Sequence, residues 1–337
     1  MSKSTRGSIP PGLTYIADNI HSGGNILGLP KGDKSKWAHG IEFHKGSSTM
    51  FFAGCGYQYS AMLGPLSDML KKAESMSINP DLPVLMAGLP KKLGVDIAGL
   101  YTKFVPKADG GDAEILRDAV KVLKALGVEP GYLGAEEPCC GAPLYHMGLR
   151  NEFTDNSHKA YEKLKAAGIR EIISIVPSCT HALKNLFPKT VPGFDIEVRH
   201  FIEIVAAKAS HAGLKYPEKV KVTYHDPCQL GRYLGLFQQP RHVLKSIENI
   251  ELVEPAWTSG EWSTCCGGGG GFEAVFPEIS QTLAAGRAKE LIDTGAAIIA
   301  THCPGCLLQL KSGIKQLKEN NVEVLDLATL VARALPK

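Results

Sequence analysis

Five cysteines constrain this chain more than anything else in it. Cys228 is followed after thirty-six residues by the adjacent pair Cys265-Cys266, and after thirty-six more by Cys303-Pro304-Gly305-Cys306. Adjacent cysteines seldom bond to each other, because the ring they would close is strained. A set made only of thiolates selects zinc, copper(I) or iron–sulfur clusters. Zinc takes four ligands and a cubane cluster takes four cysteines, so five is one too many for either. The surplus thiolate points to an unusual cluster or to a cysteine kept for chemistry. A zinc protein leaves it unexplained, and a buried pair of inert thiols leaves the spacing unexplained.

The pair runs into five glycines, Gly267–Gly271. Five glycines cost much ordering entropy and bring unhindered amides close to whatever the sulfurs hold. Converging N–H groups stabilise an anion, so Gly267, Gly268 and Gly269 are expected to help bind a negatively charged cofactor. A partial copy of the pattern precedes it: Cys55, the pair Cys139-Cys140, and Cys179 within Val176-Pro177-Ser178-Cys179-Thr180-His181-Ala182. Here the second cysteine of the CxxC is missing, with Ala182 in its place, so that Cys179 is matched to Cys303. All nine cysteines fall into the two sets. Such usage reads as metal ligation in a reducing compartment and not as disulfides.

The paired motifs resemble the cysteine-rich CCG domains of the B-type heterodisulfide reductase proteins and their relatives, over residues 46 to 337. Those relatives include the catalytic half of the membrane-bound heterodisulfide reductase and the iron–sulfur subunits of lactate, glycolate and glycerol-3-phosphate oxidoreductases. The resemblance implies a noncubane [4Fe–4S] cluster on Cys228, Cys265, Cys266, Cys303 and Cys306, and catalysis through it. For Cys55, Cys139, Cys140 and Cys179 it implies a second iron–sulfur cluster, with zinc as the alternative. In the reductases two noncubane clusters face each other across a disulfide and each takes one sulfur. Four cysteines in the first set put that symmetric cleavage in doubt.

The implied function is the iron–sulfur catalytic subunit of a heterodisulfide-reductase-like complex, acting on a small thiol or disulfide or a lipoate-type protein-bound sulfur. The alternative is an electron-transfer subunit beside a flavin-dependent hydroxy-acid or glycerol-3-phosphate oxidoreductase. Implied partners are a separate ferredoxin-like chain resembling the C-type component of those reductases and a flavoprotein resembling their A-type component. His146, His181 and Arg232 are candidate substrate-binding residues. Each also has a plain reading: a helix cap, a core histidine, a solvated arginine. His181, beside the missing cysteine, is further a candidate ligand.

Strands alternating with helices predict two similar Rossmann-like α/β domains with mostly parallel sheets. Strands are expected over Glu171–Val176, Lys219–Tyr224 and Ala297–Thr301, each delivering a cysteine, and a short one over Gly131–Gly134. Helices are expected over Tyr57–Met76, Ala113–Leu126, Tyr161–Ala167 and Ile279–Thr294. Cysteines just after strands sit where such sheets gather ligands and helix N-termini favour negative charge. Residues 46–212 and 213–337 are read as the domains, the boundary falling within 210–218, with an insertion at 79–107. Residues 1–45 have the composition of a surface arm, while 18–30 and Trp37 resemble a segment that joins a ferredoxin-like module to such domains in fused relatives.

The net charge of +3 and the lack of a basic run give no footing for nucleic acid. No stretch reads as a signal peptide or as about eighteen uninterrupted apolar residues, so the expected location is cytoplasmic, with any membrane association made through partners.

Overall fold

The structure, a computed structural model, describes residues 11–28, 31–59 and 111–336. Most of the helix expected over Tyr57–Met76 and the insertion at 79–107 lie outside the described residues. The remainder forms two parallel sheets that follow one plan. In the first, β1 (Thr49–Phe52) pairs with β2 (Glu171–Ser174), and β2 with β3 (Glu197–His200). In the second, β4 (Lys215–Tyr224) lies between β5 (Glu248–Leu252) and β6 (Ile298–Thr301), and β7 (Glu323–Asp326) flanks β6. All pairings are parallel. Their central residues are buried: Ile172 and Ile173 in β2, Ile298 and Ile299 in β6. Each such side chain contributes roughly 1.5–3 kcal/mol, and burial on both faces explains continuous apolar runs in place of alternation.

The two sheets resemble each other down to a vestige. Where β5 pairs with β4, the first sheet has a single bridge, Met50 with Gly131. Gly131 accepts from the Phe51 amide at 2.8 Å and donates to the Thr49 carbonyl at 2.8 Å. The short strand expected over Gly131–Gly134 is therefore one residue long. Pro130 before it has no N–H to extend the ladder, and a 3-10 turn, Gly134–Glu136, follows at once. Edge strands β3, β5 and β7 carry mixed polar residues that give no clear strand pattern in the sequence.

The described part of the expected arm is not loose. Helix Pro11–Gly23 buries Ala17 and Ile20, and the 3-10 helix Lys31–Ala38 buries Trp37, whose Nε1 donates to Tyr132 Oη at 3.1 Å. A polar composition misleads here because a few large side chains suffice to seat a segment. Helix Gly111–Ala125 of the first half packs on helix Leu327–Arg333 of the second, and one continuous apolar core spans both. No helix of the described residues is long and apolar enough to cross a membrane.

Candidate metal centre

Each cysteine set assembles at the carboxyl ends of its strands. β1 ends at Phe52 and delivers Cys55 into helix Gly54–Gln58; β4 ends at Tyr224 and delivers Cys228 as the first residue of helix Cys228–Gly231. β6 delivers Cys303, which caps helix Pro304–Leu317 with Cys306 in its first turn. All nine cysteines are free.

The two adjacent pairs have the same local geometry. Gly141 (φ +69°) and Gly267 (φ +83°) are left-handed, and each donates its amide to the first sulfur of the pair before it, Cys139 at 3.4 Å and Cys265 at 3.3 Å. A Cβ on Gly267 would meet the Ser280 carbonyl oxygen at 2.2 Å, and one on Gly141 would meet Asn156 Nδ2 at 2.6 Å. At Gly267 the clash is with backbone and at Gly141 with a side chain that would have to move, and both residues have a left-handed φ, which is the physical reason for glycine after each cysteine pair. A Cβ on Gly268 would likewise crowd Gln309. Gly269, expected to face the cofactor, instead donates to the Glu273 carboxylate at 2.8 Å.

The second cysteine of each pair then meets a sulfur from the helix after β2 or β6. Cys140 Sγ lies 3.0 Å from Cys179 Sγ, and Cys266 Sγ lies 3.2 Å from Cys306 Sγ. These separations exceed the ~2.05 Å of a disulfide. They also correct the alignment of the two sets. Cys179 corresponds to Cys306, not to Cys303, because Val176 and Cys303 are both extended N-cap residues followed by proline. Val-Pro-Ser-Cys thus matches Cys-Pro-Gly-Cys, and the missing cysteine is at Val176, not at Ala182. Ala182 is fully buried and begins a π-helical turn, Ala182–Leu186, one turn beyond. Val176 is at the first site itself: a Cβ on Gly54, next to Cys55, would meet Val176 Cγ2 at 2.9 Å and Cys179 Sγ at 3.0 Å.

In the second set the sulfurs bias one another. Hydrogen bonding from Cys265 and then Cys306 holds the Cys266 thiol well below its ordinary pKa, while the same contact pushes Cys265 up. Cys228 is raised by burial, with Cys303 and Cys266 close by. In the first set Cys139 is pushed up to about 12, first by the thiol of Cys140, and Cys55 is raised by Cys139. Thiols crowded this way favour a cation among them, since coordination removes their protons. The donor sets are all soft sulfur and fit iron–sulfur chemistry, five sulfurs in one and four in the other.

Buried polar side chains that sequence reasoning missed hold the loops. Glu137 accepts from the amides of Ala53 and Gly54 at 2.8 and 3.0 Å and from Gln58 Nε2 at 2.9 Å, fixing the turn that carries Cys55. Burial raises its carboxyl to about 7, and Lys34 of the N-terminal segment reaches its carbonyl oxygen. Asp226 takes a bidentate contact from Arg241 at 2.7 and 2.8 Å and the Gly260 amide at 2.8 Å, anchoring the loop that leads to Cys265. Asp326 caps helix Leu327–Arg333 and accepts from His302 Nδ1 at 2.8 Å and from Tyr57 Oη. One carboxylate thereby joins a residue beside Cys303 to one beside Cys55. Only long-range packing brings these together, so no local sequence signal marks them.

Both sets border one interface between the halves. Helix Pro177–His181 packs on helix Cys228–Gly231, and a Cβ on Gly56 would meet Pro304 Cγ at 2.6 Å. His146 lies opposite Gly270 of the glycine loop, while the His181 ring packs 4.9 Å from that of Tyr233 and its Nδ1 is buried with no partner among the described residues. Burial depresses the pKa of both histidines. The structure thus brings His146 and His181 to the interface. Arg232 is spent otherwise: its Nη2 donates to the carbonyls of Glu261 and Ser263 at 3.1 and 2.7 Å, bracing the loop before Cys265. Cys265 is the exposed member of the nine, and Leu13 of helix Pro11–Gly23 abuts Gly271.

The sequence profile of the CCG cysteine-rich domain matches residues 107–184 and 222–311. The D-type component of the dihydromethanophenazine:CoB–CoM heterodisulfide reductase of Methanosarcina acetivorans is 34% identical over 221 residues, 64% of this chain and 54% of that protein. The EtfAB:quinone oxidoreductase of Syntrophomonas wolfei is 35% identical over 232 residues, 64% of this chain and 31% of that protein. The chain therefore spans about half the length or less of these curated relatives. Among solved structures, a hypothetical protein from Helicobacter pylori superposes with a TM-score of 0.50 at 17% identity, over 66% of this chain and 46% of that one, a likeness of fold alone.

Proposed function

We propose that this chain, with its two CCG cysteine-rich regions, is the iron–sulfur subunit of an oxidoreductase complex that cleaves or forms a sulfur–sulfur bond. The observation that carries the proposal is the second set: five free thiols at one sheet end, with Cys266 Sγ 3.2 Å from Cys306 Sγ and Cys265 at the surface. Cys228, Cys265, Cys266, Cys303 and Cys306 would hold a cluster, of the noncubane type if all five bind. Such a cluster supplies one-electron transfer and iron that can stabilise a sulfur product. Gly267 keeps the backbone tight against Cys265, and Asp226 with Arg241 holds the loop that leads to it. His146 and His181, whose pKa values burial depresses, face the same interface and would orient a substrate sulfur there. Cys55, Cys139, Cys140 and Cys179 would hold a second centre of different make-up.

The substrate class is a small disulfide or a disulfide carried on a protein, and two electrons and two protons convert it to two thiols. The similarity to the Methanosarcina heterodisulfide reductase supports that class. Partners are a ferredoxin-like chain and a flavoprotein. The packing of helix Pro11–Gly23 against the glycine loop supports docking of the former on that side, and the exposed Trp257 and Trp262, 88% and 79% accessible on the loop before Cys265, offer apolar contact area. The similarity to the EtfAB:quinone oxidoreductase supports a second reading, electron transfer beside a flavin dehydrogenase with no disulfide chemistry.

The experiment is turnover of the full chain, purified anaerobically, with a reduced viologen dye and a panel of small and lipoyl-protein disulfides. Thiol release in step with dye oxidation, two electrons per disulfide, is expected. A chain that carries iron and sulfide and oxidises the dye only through a quinone or flavoprotein acceptor contradicts the disulfide reading and favours the second.

A further inference from the structure

Next to the second set lies a buried imidazole whose orientation is decided by a residue far away in sequence. His225 is 1% exposed, and one of its ring nitrogens lies within 4.8 Å of Cys266 Sγ and Cys306 Sγ. That grouping alone fits a sixth ligand. Its hydrogen bonding does not.

Arg287 Nε donates to His225 Nδ1 at 3.0 Å. Arginine keeps its protons in proteins and accepts nothing, so Nδ1 must present its lone pair. A neutral imidazole with a lone pair at Nδ1 carries its proton on Nε2, and an imidazolium would set N–H against N–H. Metal ligation through Nε2 needs the opposite tautomer. Arg287 cannot turn away, being itself 1% exposed and donating to the Thr258 carbonyl at 2.9 Å, to Thr258 Oγ1 at 3.1 Å, to Glu290 Oε2 at 2.6 Å and to Ser263 Oγ at 3.3 Å. The ring is fixed from its backbone as well: the His225 amide donates to the Ala300 carbonyl at 2.9 Å, and Thr301 Oγ1 donates to the His225 carbonyl at 3.3 Å.

We infer that Arg287 is a positioning residue that locks His225 as an Nε2–H donor to the Cys266–Cys306 sulfur pair, so that His225 tunes the centre without being one of its ligands. A donor aimed at a thiolate withdraws charge from it and raises the reduction potential of the cluster it holds. The Arg287–Glu290 ion pair does this without adding net charge. The pair also ties the donor to the cysteine loop, because Thr264 Oγ1, next to Cys265, donates to the same Glu290 oxygen at 2.8 Å. The inference rests on the iron–sulfur reading above.

The test compares His225→Gln with His225→Asn in the anaerobically purified full chain. The glutamine amide nitrogen reaches the place of Nε2, whereas the asparagine amide stops near that of Nδ1. Iron and sulfide content and the midpoint potential are read by redox titration under paramagnetic resonance. Both variants are expected to keep the parent's iron and sulfide. His225→Gln should keep the parent's potential, and His225→Asn should lower it enough to shift the oxidised-to-reduced ratio at the parent's midpoint about tenfold, ~59 mV for one electron. If the His225→Asn chain does not accumulate, parent-like iron and potential in His225→Gln still support the inference. Loss of iron from His225→Gln while the parent is full would make His225 a ligand and overturn it, as would an unchanged potential in His225→Asn. A parent without iron or sulfide would overturn the cluster reading and this inference with it.

Discussion

Cys266→Ala is expected to cost the second set its cluster, while Cys265→Ala leaves iron bound in an altered site. The two sulfurs are neighbours in sequence but differ in surroundings. Cys266 is 3% exposed and within 3.2 Å of Cys306, and hydrogen bonding from Cys265 and Cys306 holds its thiol below the ordinary pKa. Cys265 is exposed at the rim. Removing the central donor leaves the remaining sulfurs without their link and should weaken metal binding by more than the roughly 100-fold that changes one shell further out can cost. Binding free energy is also folding free energy in such sites, so the midpoint of thermal unfolding should fall along with the iron. Iron, acid-labile sulfide and paramagnetic resonance spectra of the two variants beside the parent give the answer. A Cys266→Ala protein with the parent's spectrum would contradict the five-thiolate set.

Val176→Cys is expected to complete the first set, raising its iron content and moving its spectrum toward that of the second. Val176 caps its helix with the same extended backbone as Cys303 and is followed by the same proline. It also stands against Gly54 and Gly56, on either side of Cys55. Exchanging valine for cysteine sacrifices about 1 kcal/mol of packing, little beside what a further thiolate gains by coordination. Ala182→Cys is the control, since Ala182 lies one turn past Cys179 in the π-helical segment. More iron from Ala182→Cys than from Val176→Cys would restore the alignment that the helix caps reject.

Much of this is legible in the chain itself. Cysteine spacing marks all nine sulfurs, and strands ending just before cysteines mark two parallel α/β units, because a Cys after an apolar run is a local pattern. The misplacement of the missing cysteine at Ala182 has the same origin. Cys-x-x-Cys can be matched around Cys179 either forward, to Ala182, or backward, to Val176, and spacing alone does not choose. The shared proline of Val-Pro-Ser-Cys and Cys-Pro-Gly-Cys does, and it is a sequence signal. Other features have no such signal. Lys34 reaches Glu137 across 103 residues, Tyr57 reaches Asp326 across 269 and Arg287 reaches His225 across 62, all of them pairings that only the packed sheets create. Arg232, a candidate substrate-binding residue by sequence, stands one turn after Cys228, yet the folded loop uses it for two carbonyls.

Everything above depends on the cysteines holding iron and sulfide. Mössbauer spectroscopy of the full chain, enriched in iron-57 and purified without oxygen, with total iron, zinc and sulfide measured on the same sample, tests this most directly. Iron and inorganic sulfide are expected in equal amounts, in two spectrally distinct centres, one of them lost in Cys266→Ala. Zinc without sulfide, or a metal-free chain whose mass shows Cys140–Cys179 and Cys266–Cys306 joined as disulfides, would contradict it.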